Sequence, residues 1–406
     1  MAKGRLVVSV FVDNIAEPIQ GAKVHISGNN TEIDLITDQS GKTKIIELEA
    51  PDKSYSLEPQ TEVQPFSTYN ITVTKEGLGI SSIVGVQIYD GIESYQDVFF
   101  HTSQEGYGRN VTVITPPTLW ENGDPKIIEN PDNLNPEGKV LPKVIIPGYI
   151  IVHDGVPSDT SAPNYYITFT DYIKNVTSSE IYPSWPKETL KANIHAIVSF
   201  TLNRIYTEWY LSKGYNFTIT SSTAYDQKYT HNRTIFDTIS NAVDEVFMEY
   251  LTFPDRGYPF LAQYCDGKNV IRKGWLSQWG SKSLGDQGYN SLQIVRYYYG
   301  NSIELRKAEL VDNLPTSFPG YNLSEGACGE EVRQLQNALN KIRGSYPAIP
   351  TIKNANGIFG TDTVAAVKKF QSVFNLPVTG IVNFATWYRI SAIYAAVSNM
   401  LKGIYG

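Results

Sequence analysis

Apolar and polar positions alternate in short runs along the first stretch of the chain. LVVSVFV, AKVHIS, TEIDLIT, KTKIIEL, YNITVTK, SSIVGVQI and SYQDVFF are rich in Val, Ile, Thr and aromatics, with Gly, Asn, Asp and Pro between them. A period of two with turn residues at this spacing predicts an all-β sandwich over residues 1–112. From Tyr182 to Leu211 the period lengthens. Leu190, Ile194, Ile197, Val198, Leu202, Ile205, Tyr206 and Trp209 recur at steps of three and four, which predicts one face of a long amphipathic helix. Pro186 suits its first turn, and Glu188 stands at its mouth.

The pattern changes three more times. Residues 113–147 are rich in Pro, Asn and Gly and lack periodicity, which predicts a linker open to proteases. Residues 148–312 mix the two periods. YIIVHDG, NFTITSS and PFLAQYCDG read as strands, and TIFDTISNAVDEVFMEYL and YNSLQIVRYYYG as helices. Asp244, Glu245 and Glu249 read as a solvated helix face. After a short linker at 313–328, residues 329–406 carry three apolar helical faces with their own core, a small three-helix bundle. The fold class is therefore multidomain, with an all-β N-terminal part, a mixed α/β centre and a helical C-terminus.

Composition narrows the partners. The 406 residues carry a net charge of −7, which leaves no basic footprint for nucleic acid. Two cysteines, Cys265 and Cys328, are too few for a disulfide framework or a structural zinc site. The five histidines include no HExxH, so no metal or other cofactor is expected. No apolar run reaches membrane-spanning length, and RLVVSVFV at 5–12 is too short for a signal-peptide core, so no export signal is recognisable. Charged residues make up only 18%, against 27 Tyr, a balance common on sugar-binding surfaces.

Several phrases resemble known families. GRLVVSVFVDNIAEPIQGAKVHISG with LITDQSGKTKI resembles the transthyretin-like or carboxypeptidase-regulatory-like sandwich. GEEVRQLQNAL and NGIFGTDTVAAVKKFQSVFNLPVTGIVNFATW resemble the type 1 peptidoglycan-binding domain, with Asn356 and Asn375 in place of its usual Asp and Gly. In that bundle Gln336 and Gln371 read as helix-packing residues. WPKETLKAN, SSTAYDQKY, FLAQYCDGK and GWLSQWGSKSLGDQGYNSLQIVRYYYG follow in the order of the SpoIID-type lytic transglycosylase domain. Departures occur at Val198-Ser199-Phe200, where that family has Arg-Thr-Tyr, and at Arg272-Lys273-Gly274-Trp275, where it has His-Gly-x-Gly. The whole arrangement resembles the clostridial spore cortex-lytic enzyme (SleC) family.

The resemblance implies a catalytic Glu188, cortex peptidoglycan as substrate, and a location in the cortex and coat region of the spore. It also implies that a subtilisin-like germination protease removes the β-rich pro-region, with the cut placed in the linker between Lys139 and Val140. The implied chemistry needs one carboxyl group. It protonates the glycosidic oxygen, then as a carboxylate assists the sugar's own C6 hydroxyl onto C1. Such an acid needs partial desolvation, and Tyr182, Trp185 and Trp209 are the local candidates for an apolar wall. Tyr225, Tyr264, Ser277 and Gln278 are the candidate substrate contacts. Asp226 and Asp266 are candidate second carboxylates for a hydrolytic muramidase or glucosaminidase, which the residues leave open. A non-catalytic adaptor that enhances amidases is the third reading. Cys265 is read as a buried small hydrophobe.

Overall fold

The computed structural model describes residues 2–101, 109–121, 126–129, 141–310 and 318–398; Lys139 and Val140 lie outside them. Nine strands form first: β1 (Ala2–Val12), β2 (Asn14–Pro18), β3 (Lys23–Gly28), β4 (Thr31–Ile36), β5 (Ile46–Ala50), β6 (Ser67–Lys75), β7 (Gly79–Ile88), β8 (Glu93–Phe100) and β9 (Arg109–Val113). They build two sheets. One runs β4-β3-β6-β7-β9, and in the other β1 lies between parallel β8 and antiparallel β2 and β5. Alternation places Leu6, Val8 and Val10 of β1 with Val24 and Ile26 of β3 and Ile71 and Val73 of β6 in one core.

The second sheet does not end within this region. Ile235–Phe236, from the middle of the chain, pairs antiparallel with Tyr95 and Ser94 of β8. A sandwich edge is thus covered by a strand from another part of the molecule. Phe66, Tyr89 and Ile92 belong to the central core, and Phe11 to the C-terminal one. Burying such side chains contributes roughly 1.5–3 kcal/mol each, so the contacts between these parts are substantial.

Among the described residues eight α-helices follow: α1 (Phe169–Glu180), α2 (Lys187–Tyr206), α3 (Asp237–Val246), α4 (Gln278–Asp286), α5 (Ser291–Tyr299), α6 (Glu330–Ile342), α7 (Thr361–Val373) and α8 (Phe384–Val397). α2 differs from the amphipathic expectation. From Thr189 to Arg204 every residue but Lys191 is buried, because α1, α3, α4, α5 and the strand Glu249–Thr252 all pack on it. It is a central helix, and such a helix is apolar or internally satisfied all round. Ser199 and Thr201 meet that need by donating to the carbonyls of His195 and Ile197. Trp209 falls beyond the helix end, after a turn in which Glu208 has φ +46°.

Other elements also depart from their sequence pattern. TIFDTISNAVDEVFMEYL divides into the strand Ile235–Phe236, α3 and the strand Glu249–Thr252. Asp244 is not solvated. Its carboxylate holds Lys174 at 2.8 Å with both side chains nearly covered, and burial pushes the carboxyl up. Glu249 lies on a strand and pairs with His195 at 3.2 Å. The described parts of 113–147 are laid on the central region, not free. Thr118 N–H donates to Ser179 O at 2.8 Å, and Ile145–Ile146 pairs with Glu309–Leu310.

In the helical C-terminus, Gln336 and Gln371 do more than pack. Gln336 donates to Ile358 O and accepts from Gly357 N–H, while Gln371 accepts from Thr379 and Gly380 N–H and donates to Ile381 O. Each amide closes a tight turn against its helix and satisfies that turn's backbone. Among the described residues no helix is long and apolar enough to cross a membrane.

Candidate active site

Pro186 caps α2 without a side-chain bond, and Glu188 lies in the first turn. Its side chain is 40% exposed, at the rim where α2, α3 and α5 meet. Ser291 N–H, the first amide of α5, donates to Glu188 Oε2 at 2.8 Å. Lys191 Nζ lies 3.7 Å from Oε1 and is shared with Glu245 at 2.7 Å. α4 passes very close to this entrance: a Cβ on Gly285 would stand 2.0 Å from Thr189 Oγ1, so only glycine fits there.

Three rings cluster from the segment before α2 and from α4. Tyr182 and Trp185 lie 6.0 Å apart, Trp185 and Trp279 5.0 Å, and Tyr182 and Trp279 6.0 Å. All three are buried. Part of their cover comes from the N-terminal sandwich, where Trp185 Nε1–H donates to Ser56 O at 2.9 Å. Tyr182 and Trp185 are close to Glu188 in the chain. Trp209 is not: its ring lies 4.7 Å from Cζ of Arg204, which is about 24 Å along α2 from Glu188 at about 1.5 Å per residue.

The four candidate substrate contacts divide. Tyr264 OH and Gln278 Nε2 both donate to Glu180, at 3.0 and 3.3 Å, and Lys228 N–H donates to the same carboxylate at 3.0 Å. Glu180 is 3% exposed at the end of α1. Burial, with the Glu180 charge beside it, holds the Tyr264 phenol well above its usual range. Ser277 caps α4 by accepting from Gly280 N–H. α4 runs antiparallel to α2, passing Asn193 at Ser281 and Thr189 at Gly285. Gln278 consequently sits up the helix from Glu188 by roughly two turns, about 11 Å. Tyr225 is farther still, beside Arg204, whose Nη2 donates to Tyr225 O.

The candidate second carboxylates are otherwise engaged. Asp226 is fully buried and accepts from Arg204 Nε at 2.7 Å, Tyr210 OH at 2.7 Å and Thr220 N–H at 2.9 Å. Asp266 closes a turn by accepting from Asn269 and Val270 N–H. Cys265 is buried, and burial pushes its thiol up. Among the described residues no three His, Cys, Asp or Glu side chains are grouped to hold a metal.

Glu180 went unread in the sequence because α1 went unread. Thr168 caps that helix by accepting from Asp171 N–H, and Phe169, Tyr172, Ile173 and Val176 carry its apolar face. The Thr-x-x-Asp phrase before that periodicity is the signal that marks its start.

Comparison with known proteins places these features. Residues 161–253, which include α1, α2 and Glu188, match the family model described as stage II sporulation protein. Residues 328–390 match that of a peptidoglycan binding domain. The zinc D-Ala-D-Ala carboxypeptidase of Streptomyces albus G is 43% identical over 68 residues, 17% of this chain and 25% of that protein. The chain thus spans about a quarter of the length of that curated relative. The SleB N-terminal domain aligns with 19% of this chain and 99% of its own at 31% identity and TM-score 0.17. The 5-hydroxyisourate hydrolase of Klebsiella pneumoniae aligns with 25% and 92% at 12% identity and TM-score 0.17. The chain thus joins a segment similar to the stage II sporulation proteins to one similar to peptidoglycan-binding domains.

Proposed function

We propose that this protein is a lytic transglycosylase of spore cortex peptidoglycan, with Glu188 as its single acid and base. The observation that carries this reading is the position of Glu188, half-exposed at the rim of an otherwise buried helix and three residues after Trp185 of an aromatic cluster. Its proton passes to the oxygen linking N-acetylmuramic acid to N-acetylglucosamine, and the C1–O bond breaks. The carboxylate then takes the proton of the same muramic C6 hydroxyl as that oxygen bonds to C1, which returns the acid form. No water is consumed, and the engagement of Asp226 and Asp266 in local bonds favours this over a two-carboxylate hydrolysis. Tyr264, Gln278, Ser277 and Tyr225 are proposed as the contacts for sugars away from the reacting bond.

The reading includes synthesis as a zymogen. The sandwich is its pro-region, with domains at 1–112, 148–312 and 329–406 and a subtilisin-like germination protease cutting at Lys139–Val140 in the spore cortex and coat region. The contact of Ser56 O on Trp185 supports a masking role, since it covers a ring three residues before Glu188. Mass analysis of fragments released from cortex sacculi tests the proposal. Products lighter by one water than hydrolytic ones are expected, and hydrolytic products would overturn it. A second reading, a non-catalytic adaptor of an amidase, draws on the Ser291 contact, which gives Glu188 a helix-capping task independent of chemistry. Binding to sacculi with no fragment released supports that alternative.

A further inference from the structure

Residues 126–129 lie across the central region, where Ile127 N–H donates to Ala224 O at 2.8 Å. Glu129 enters a prepared receptor. Arg204, 1% exposed, donates from Nη1 to Glu129 Oε2 at 2.9 Å and from Nη2 to Oε1 at 2.5 Å. Asp226 holds Arg204 Nε from behind and has its own second oxygen filled by Tyr210 and Thr220. The guanidinium is also held between two rings, Phe200 and Trp209, each 4.7 Å from Cζ. Its plane and direction are thus fixed without Glu129, and both Nη groups face the segment 126–129. Such a fork matches a planar carboxylate in geometry as well as charge.

We propose that the Arg204 fork is a carboxylate-binding subsite for the muramyl unit of peptidoglycan, and that Glu129 is its intramolecular stand-in. The inference rests on the cell-wall reading above and adds a ligand group to it. Glu129 precedes the proposed cut at Lys139–Val140, so cleavage leaves residues 126–129 tethered at one end only. When the segment lifts away, the buried Arg204–Asp226 pair is left neutral, with two N–H donors lacking an acceptor. A buried donor without a partner is costly, so an incoming carboxylate has a site already oriented. A muramyl unit offers such a group in one of two forms: the lactyl carboxylate where the sugar carries no peptide, or the stem's own carboxylates where the lactyl carboxyl is amide-bonded to a stem.

The test uses the full chain, with Glu129→Ala to vacate the fork. Calorimetric titration is made with three probes: N-acetylmuramic acid, the dipeptide L-alanyl-D-isoglutamine, and N-acetylglucosamine. A tethered competitor acts at roughly millimolar effective concentration, so the variant is expected to bind one carboxylate probe at least about tenfold more tightly than the unsubstituted chain. A gain for N-acetylmuramic acid assigns the lactyl group, and a gain for the dipeptide assigns the stem. N-acetylglucosamine should gain nothing. Adding Arg204→Lys keeps the charge but removes the fork, and should abolish the gain. No gain for either carboxylate, an equal gain for N-acetylglucosamine, or a gain that survives Arg204→Lys overturns the proposal. Binding is read without turnover, so a failure of Glu188 as catalyst leaves this result separately interpretable.

Discussion

The Glu188 carboxylate accepts the backbone N–H of Ser291 at 2.8 Å and so ties the first turn of α2 to the first turn of α5. One side chain therefore has a structural bond on Oε2, while Oε1 lies 3.7 Å from Lys191 Nζ. The two functions separate by substitution. Glu188→Gln keeps an acceptor for Ser291 and should fold normally, yet should release anhydro products about 10²–10⁴-fold more slowly, the range for loss of a general acid and base. Glu188→Ala should lose the cap as well, at about 0.5–2 kcal/mol. Product release and thermal unfolding, measured on both variants, give the comparison. Equal rates for Glu188→Gln and the unsubstituted chain would end the catalytic assignment.

Glu180 makes a prediction of a different kind. Its buried carboxylate is met by three donors, from Lys228, Tyr264 and Gln278. Glu180→Gln turns an amide N–H₂ toward at least one of them and should cost about 1–3 kcal/mol. Tyr264→Phe removes a single donor and should cost less. Urea unfolding midpoints order the two, and a Glu180→Gln chain as stable as the original would mean that the cluster is not a structural centre.

The difference between these two glutamates shows what the sequence made legible. Glu188 sits at a helix start with a long apolar period after it, and both are visible in one dimension. That the same helix is buried on every side was not visible, because Ser199, Thr201 and Asn193 read as a polar face until their partners are known. Glu180 acquires meaning only when Tyr264 and Gln278, distant in sequence, arrive beside it. The pairing of Ile235–Phe236 with β8 is likewise a tertiary event: a two-residue strand has no period of its own and was absorbed into the helix that follows it.

That strand pairing bears on processing. Cutting the chain between residues 139 and 140 removes the covalent link, but it leaves the β8 contact intact. It also leaves Phe66, Tyr89 and Ile92 in the central core and the Arg233 bond to Gln87 Oε1 at 3.0 Å. The nicked protein is therefore expected to elute from a sizing column as one particle at micromolar concentration, and to separate only when denaturant or cortex fragments displace the N-terminal part. Spontaneous separation of the N-terminal part in buffer would show that these contacts are too weak to hold it.

The sandwich also meets the C-terminal helices through Asp97, and there the interaction should depend on pH. Asp97 stands on β8 near Lys42, Ser9, Arg389 and Asp171, and burial pushes its carboxyl up to about 6 despite the two cations. An unfolded Asp titrates near about 3.9. Between those values the folded chain binds the proton and the unfolded chain does not, so stability falls as pH rises from about 4 through 6. Below that window both states are protonated and the effect is absent; above it the full cost of the buried charge applies. Asp97→Asn carries no such charge. Its stability relative to the unsubstituted chain should climb across this window and level off above it, by an amount on the order of 1–3 kcal/mol. Thermal unfolding of both chains from pH 4 to 7.5 measures the difference, and a gap that stays flat across that range would show that Asp97 ionises at little cost in the folded protein.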